Sequence, residues 1–167
     1  MNDPAWQRPL SAHERKRIEA VRQRCFVLYE GRLTPHRSCG IALAETFGLP
    51  TAPYQSLRKG GITGHGECGS LVAGRLVLGE LLGDPDPTGA VTPALRQAME
   101  DYQRRWPEHL SRGAVQHSVI CNDLTGQFPA FTSPERMSFC TALASDVAAL
   151  VAEILLRRGH PLPSTGP

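Results

Sequence analysis

Five cysteines offer this chain its most distinctive chemistry. They stand at positions 25, 39, 68, 121 and 140, and no two of them form a CxxC pair. Thiolates bind zinc, hold iron–sulfur clusters and carry thiol–disulfide exchange, so the surroundings of each sulfur decide its use. Three of the five have a histidine close by: His36 and His65 each precede Cys39 and Cys68 by three residues, and His117 precedes Cys121 by four. Imidazole and thiolate together suit zinc or a mixed-ligand cluster. His65 is the histidine expected to act as a ligand, and as an imidazolium it would favour the Cys68 thiolate even without metal. The competing use of all three histidines is as exposed caps and loop polar groups.

The elements that carry these sulfurs read as helices. Residues 11–30 place Ile18, Val21, Cys25 and Leu28 at helical spacing, with Gly31 as a stop. Ser38 caps a short helix over 38–48, which puts Cys39 in its first turn. Four glycines at 60, 61, 64 and 66 exclude a helix there, and the helical pattern resumes at Glu67 and runs to Gly83. Cys68 therefore opens a helix directly after a Gly-rich loop. Free N–H groups and the helix dipole at such positions favour a thiolate, which would make Cys39 and Cys68 the reactive pair. Within the loop, backbone amides could approach a sulfur, a cluster or an anion, or the glycines could serve only a tight crossover. The small residues Gly69, Ser70, Ala73 and Gly74 allow a neighbouring backbone to come close. Thr92-Pro93 starts another helix towards Trp106-Pro107. A weaker helical pattern covers 112–125, where His117 and Cys121 would share a face. Ser133 caps the last helix, whose apolar stripe includes Met137, Cys140, Leu143, Val147, Leu150, Val151 and Ile154. Cys140 on that stripe, and Cys25 on the first, suit core packing.

No segment alternates with period 2. The expected fold is an all-α, single-domain bundle of five to seven helices, with the Gly-rich loop before the helix that starts near Cys68. It spans residues 11–158, between an N-terminal arm (1–10) and a frayed tail (159–167). The length of 167 residues suits one domain. Eighteen basic against 16 acidic residues give a net charge of +2, and aromatics are 6%. Neither an electrostatic nor a stacking surface for nucleic acid is expected. No apolar core follows a basic start, so a secretory signal is not expected. The most apolar run, 141–156, is broken by Asp146 and Glu153, so no membrane span is expected either. A cytoplasmic, reducing location follows as the expectation, and there cysteines serve metals or redox chemistry more often than structural disulfides.

With these residues in view, the chain resembles the family of redox-active proteins named after the pattern C…GCAxxG…C…C. The matching segments are Ser38-Cys39 leading to Phe47-Gly48-Leu49, the glycine loop 60–66, Cys68-Gly-Ser-Leu-Val-Ala-Gly74, Cys121-Asn-Asp-Leu-Thr-Gly126, and Cys140 at the head of the final helix. Glu67 stands where the pattern has glycine, and Gly69-Ser70 where it has alanine. The resemblance covers residues 12–156. It implies Cys39, Cys68, Cys121 and Cys140 as the working set and leaves Cys25 outside. It also implies a metal- or cluster-associated protein, since a similar domain accompanies an iron–sulfur centre and haem in split-Soret cytochromes. Without CxxCH, covalent c-type haem is not expected.

Three functions follow. In the first, the four cysteines hold an iron–sulfur cluster for electron transfer with a redox partner protein, and a homodimer could share the site. In the second, Cys39 and Cys68 cycle between dithiol and disulfide without metal, which needs their Cα atoms within about 7 Å. In the third, Cys and His hold a structural zinc, a weaker fit without a CxxC knuckle. No Ser–His–Asp arrangement, HExxH or dinucleotide fingerprint points to another enzyme class.

Overall fold

Helix α2 (Ala12–Glu30) begins where its sequence can satisfy its own first turn. In the computed structural model, which describes residues 3–163, the Ser11 hydroxyl accepts from the Glu14 N–H while the Glu14 carboxylate accepts from the Ser11 N–H. Gly31 ends the helix in the left-handed region at φ 77°. The same local logic starts α5 (Pro93–His109) at Thr92 and α7 (Pro134–Arg157) at Ser133, each with a capping hydroxyl and a first-turn proline.

Seven α-helices are described, and no strand forms among the described residues. The order is α1 (Pro4–Gln7), α2, α3 (Cys39–Thr46), a 3₁₀ turn (Ala52–Leu57), α4 (Gly69–Leu82), α5, α6 (Cys121–Gly126) and α7. The fold is an all-α bundle. Helix α7 is its axis, packed against α2, α3, α4 and α5. Its stripe of Leu143, Val147, Leu150, Val151 and Ile154 is buried, as is Cys25 in α2. By length and hydropathy α7 also matches a membrane span, yet 61% of that window is buried inside the bundle. Asp146 and Glu153, on its polar side, pair with Arg22 and Arg157.

Three features differ from the sequence expectation. Residues 112–125 are helical only from Cys121, because Glu67 and Ile120 form an antiparallel bridge and the Cys68 N–H donates to the Val119 carbonyl over 2.7 Å. That pairing holds the chain extended just ahead of α6. The N-terminal segment forms α1 and docks: Arg105 and Arg157 lie 4.2 and 4.7 Å from the Trp6 ring. Beyond α7, Leu162 is buried and its carbonyl accepts from Arg17; residues 164–167 of the expected tail lie outside the described residues.

The close approaches expected of the small residues in α4 occur in two ways. A Cβ on Gly69 would lie 2.1 Å from the Leu57 carbonyl oxygen, so backbone does meet the helix there. At Gly74 the visitor is a side chain instead: a Cβ would lie 2.5 Å from the Tyr102 hydroxyl, which donates to the Leu71 carbonyl.

The Ser11 cap carries a pH signature. The Arg8 guanidinium beside Glu14, and then the Ser11 N–H, hold the Glu14 carboxyl at about 2, below its ordinary 4.5. A depressed carboxylate stabilises the fold above its unfolded pKa and loses that contribution as pH falls through the folded one. The native chain should therefore lose thermal midpoint between pH 4.5 and 2 more steeply than Glu14→Gln, as read by melts across that range. The pair is solvent-exposed, so the difference will be small.

Candidate functional site

The Gly-rich loop acts on α6. Gly60, Gly61 and Gly64 all have positive φ, which lets the loop fold tightly enough for the Gly66 N–H to reach the Gly60 carbonyl over 3.0 Å. Its own carbonyls then point outward. Gly66 and Gly64 accept from the Cys121 and Asn122 N–H groups over 3.0 and 2.9 Å, which satisfies the first free donors of α6. The loop is thus a backbone cap that fixes Cys121 beside the head of α4, where Cys68 is the N-cap residue. A Cβ on Gly60 would lie 2.4 Å from the Cys121 Cβ. Gly60→Ala, strained at φ 55° as well, should cost about 1–3 kcal/mol through overpacking; urea melts check this.

Four cysteines converge. Cys39 at the start of α3, Cys68 at the head of α4, Cys121 at the start of α6 and Cys140 in α7 all line one narrow internal cavity, together with Tyr29, Ser70, Phe139 and Leu143. The space between them is about 20 Å³, room for about one water. Cys39, Cys121 and Cys140 also border a larger cavity of about 460 Å³ that opens to solvent. Cys25 borders neither. It is fully buried in the apolar core, and burial pushes its thiol up to about 12.

The thiols differ from the expectation of low-pKa helix-start cysteines. Burial first, and then neighbouring cysteines, push Cys68 up to about 12 and Cys121 to about 11. Cys39 and Cys140 are raised too, again chiefly by burial. The helix-start N–H groups of Ser70 and Leu71 do favour the Cys68 thiolate, but desolvation by the surrounding core outweighs them. Without a cation these four groups are neutral thiols at pH 7.

The histidines part company. His36 lines the larger cavity, and its Nδ1 pairs with the Tyr29 carbonyl. A carbonyl only accepts, so Nδ1 carries the proton and Nε2 keeps its lone pair while the ring is neutral. His65 is exposed on the glycine loop, and His117 is exposed in a turn ahead of α6 rather than one helical turn from Cys121. Neither borders the cysteine cavities. Among the described residues no three His, Cys, Asp or Glu side chains are gathered tightly enough to hold a single metal ion.

Residues without any motif complete the site. The Tyr29 hydroxyl lies 4.0 Å from the Cys39 sulfur, and its ring meets His36 edge-on at 5.1 Å. Arg136, one turn before Cys140 on α7, is buried and favours the ionised forms of Cys140, Cys39 and Cys121. Arg58, Lys59, Ile62 and Phe131 shape the larger cavity. Arg136 had a sequence signal in retrospect, an arginine four residues before a cysteine on an otherwise apolar helix face. Compared with protein families, curated proteins and solved structures, the chain matches none.

Proposed function

We propose that the chain is a redox protein in which Cys39, Cys68, Cys121 and Cys140 hold an iron–sulfur cluster. The observation that carries this is their convergence, from four separate helices, on one cavity that excludes the fifth cysteine. It agrees with the working set implied by the resemblance to the C…GCAxxG…C…C proteins. The donor set is all thiol, as such clusters use, while the space between the sulfurs holds only about one water, so the four helix ends must move apart to admit a cluster. A single tetrahedral zinc with His65 has less support, because His65 lies outside the cavity. When bound, the cluster supplies one-electron storage at a potential tuned by its surroundings.

The chain's own residues supply those surroundings. Burial lowers the dielectric around Cys68, while Cys39, Cys121 and Cys140 border the larger cavity that opens to solvent. Arg136 places one positive charge against the thiolates and offsets part of their charge. The N–H groups at Ser70 and Leu71 stabilise negative charge on the Cys68 sulfur. Electrons would exchange with a redox partner protein, or with a molecule in the larger cavity.

The test is purification without oxygen from cells with an intact cluster-assembly system, followed by iron and sulfide analysis and an optical spectrum. Brown protein with iron, acid-labile sulfide and sulfur-to-iron absorption is the expected result. Colourless, iron-free protein overturns the proposal. If such protein also loses two thiols per chain on mild oxidation, the metal-free dithiol function replaces it.

A further inference from the structure

The larger cavity beside the cysteines has the size of a small-molecule site, about 460 Å³. Its lining includes Arg58, Lys59 and Arg136 but no aspartate or glutamate. Among the described residues, none of these three cations takes part in an ion pair. Arg136 is buried against the cysteines, whereas Arg58 and Lys59 are exposed on the outer wall. The cavity therefore carries positive charge that no carboxylate pairs, and part of it faces incoming solutes.

Three further observations fall on the same cavity. Its mouth is apolar: Ile62 and Phe131 are 59% and 43% exposed, and Lys59 and Arg136 lie 5.1 and 4.2 Å from the Phe131 ring. The Ser38 Oγ on its wall is buried without a hydrogen-bond partner. Among the described residues, the three non-glycine residues with positive φ, namely Cys39 (29°), Lys59 (48°) and Ile62 (72°), all line it. A β-branched residue such as Ile62 is a true outlier there. Strain of this kind persists only where the surrounding fold enforces it, and it clusters at ligand sites.

We infer that this cavity binds a small organic anion with an apolar body, its carboxylate held by Arg58 and Lys59 and its body against Ile62 and Phe131. The bound molecule then abuts Cys39, Cys121 and Cys140, which would make the redox centre one that serves a small molecule. That last consequence rests on the cluster proposal above; the binding itself does not.

Benzoate is the probe, with benzamide as its neutral control, titrated by ligand-observed NMR into the full chain purified without oxygen. Iron is assayed in the same preparation. Benzoate should saturate with a dissociation constant on the order of 1 mM, and benzamide should bind about tenfold more weakly. The double variant Arg58→Gln/Lys59→Gln alters only exposed side chains. It should weaken benzoate about tenfold while leaving benzamide and the thermal midpoint unchanged. Absence of saturable benzoate binding, equal binding of benzamide, or unchanged benzoate affinity in the double variant each overturns the inference. Iron-free protein that binds benzoate as expected overturns the cluster and upholds the anion site. Iron-loaded protein that ignores benzoate does the reverse.

Discussion

On the cluster proposal, Cys68→Ser protein purified without oxygen is expected to hold about tenfold less iron per chain than the native protein, while Cys25→Ser holds as much. The contrast follows from position. Cys68 is the N-cap of α4 and faces Cys39, Cys121 and Cys140 across the narrow cavity. Its serine replacement keeps the neighbouring N–H groups of Ser70 and Leu71 but offers iron a hard hydroxyl where a thiolate is required. Cys25 is equally buried, yet it faces the apolar interior near Thr46. A serine there buries a more polar group in the core beside the Thr46 hydroxyl and costs about 1 kcal/mol, so Cys25→Ser should melt earlier with its iron content unchanged. Circular dichroism of both variants separates misfolding from loss of the centre. Loss of iron in Cys25→Ser would mean that the spare cysteine has been assigned wrongly. Serine variants of Cys39, Cys121 and Cys140 should follow Cys68.

The largest effect on stability is expected far from that cavity, at Asp101→Ala. Asp101 in α5 is fully buried and accepts two hydrogen bonds, of 2.7 and 2.9 Å, from the Arg158 guanidinium just past α7. Arg158 also pairs with Asp3 ahead of α1, so one cation ties both chain ends to the middle of the bundle. The Asp101 hydrogen bond, first among several causes, raises the Arg158 pKa, so the guanidinium stays charged. Removing Asp101 leaves that charge largely buried and half-paired, which costs about 3–5 kcal/mol. At about 2–4 °C per kcal/mol for a chain of this size, the thermal midpoint should fall by roughly 6–20 °C. Asp101→Ala combined with Arg158→Met removes both charges and should recover most of the loss. Equal destabilisation in the single and double variants would show that shape, and not the unpaired charge, holds this corner.

Much of the helical plan was legible because helix ends are local chemistry. The Ser11, Thr92 and Ser133 caps and the Gly31 stop depend on residues within one turn, so their sequence signals carry the structure. The 3₁₀ turn at Ala52–Leu57 had no comparable signal. The pattern over 112–125 misled because its apolar residues serve an extended pairing with the segment around Glu67, a partner some fifty positions away.

For the site, the sequence by itself determined which residues have the chemistry: the thiols, their separation along the chain, and Cys25 standing apart on an amphipathic stripe. Only the tertiary structure decided what surrounds them. Helix-start positions predict acidic thiols at Cys39 and Cys68, yet burial by residues from other helices reverses the sign. Of the three nearby histidines only His36 reaches a cysteine-lined cavity, and Tyr29, Arg136 and Phe131 join it from other parts of the chain. The physical reason is common to all of these. Capping acts within a turn of helix, whereas desolvation, charge pairing and cavity shape are sums over neighbours brought together only by folding.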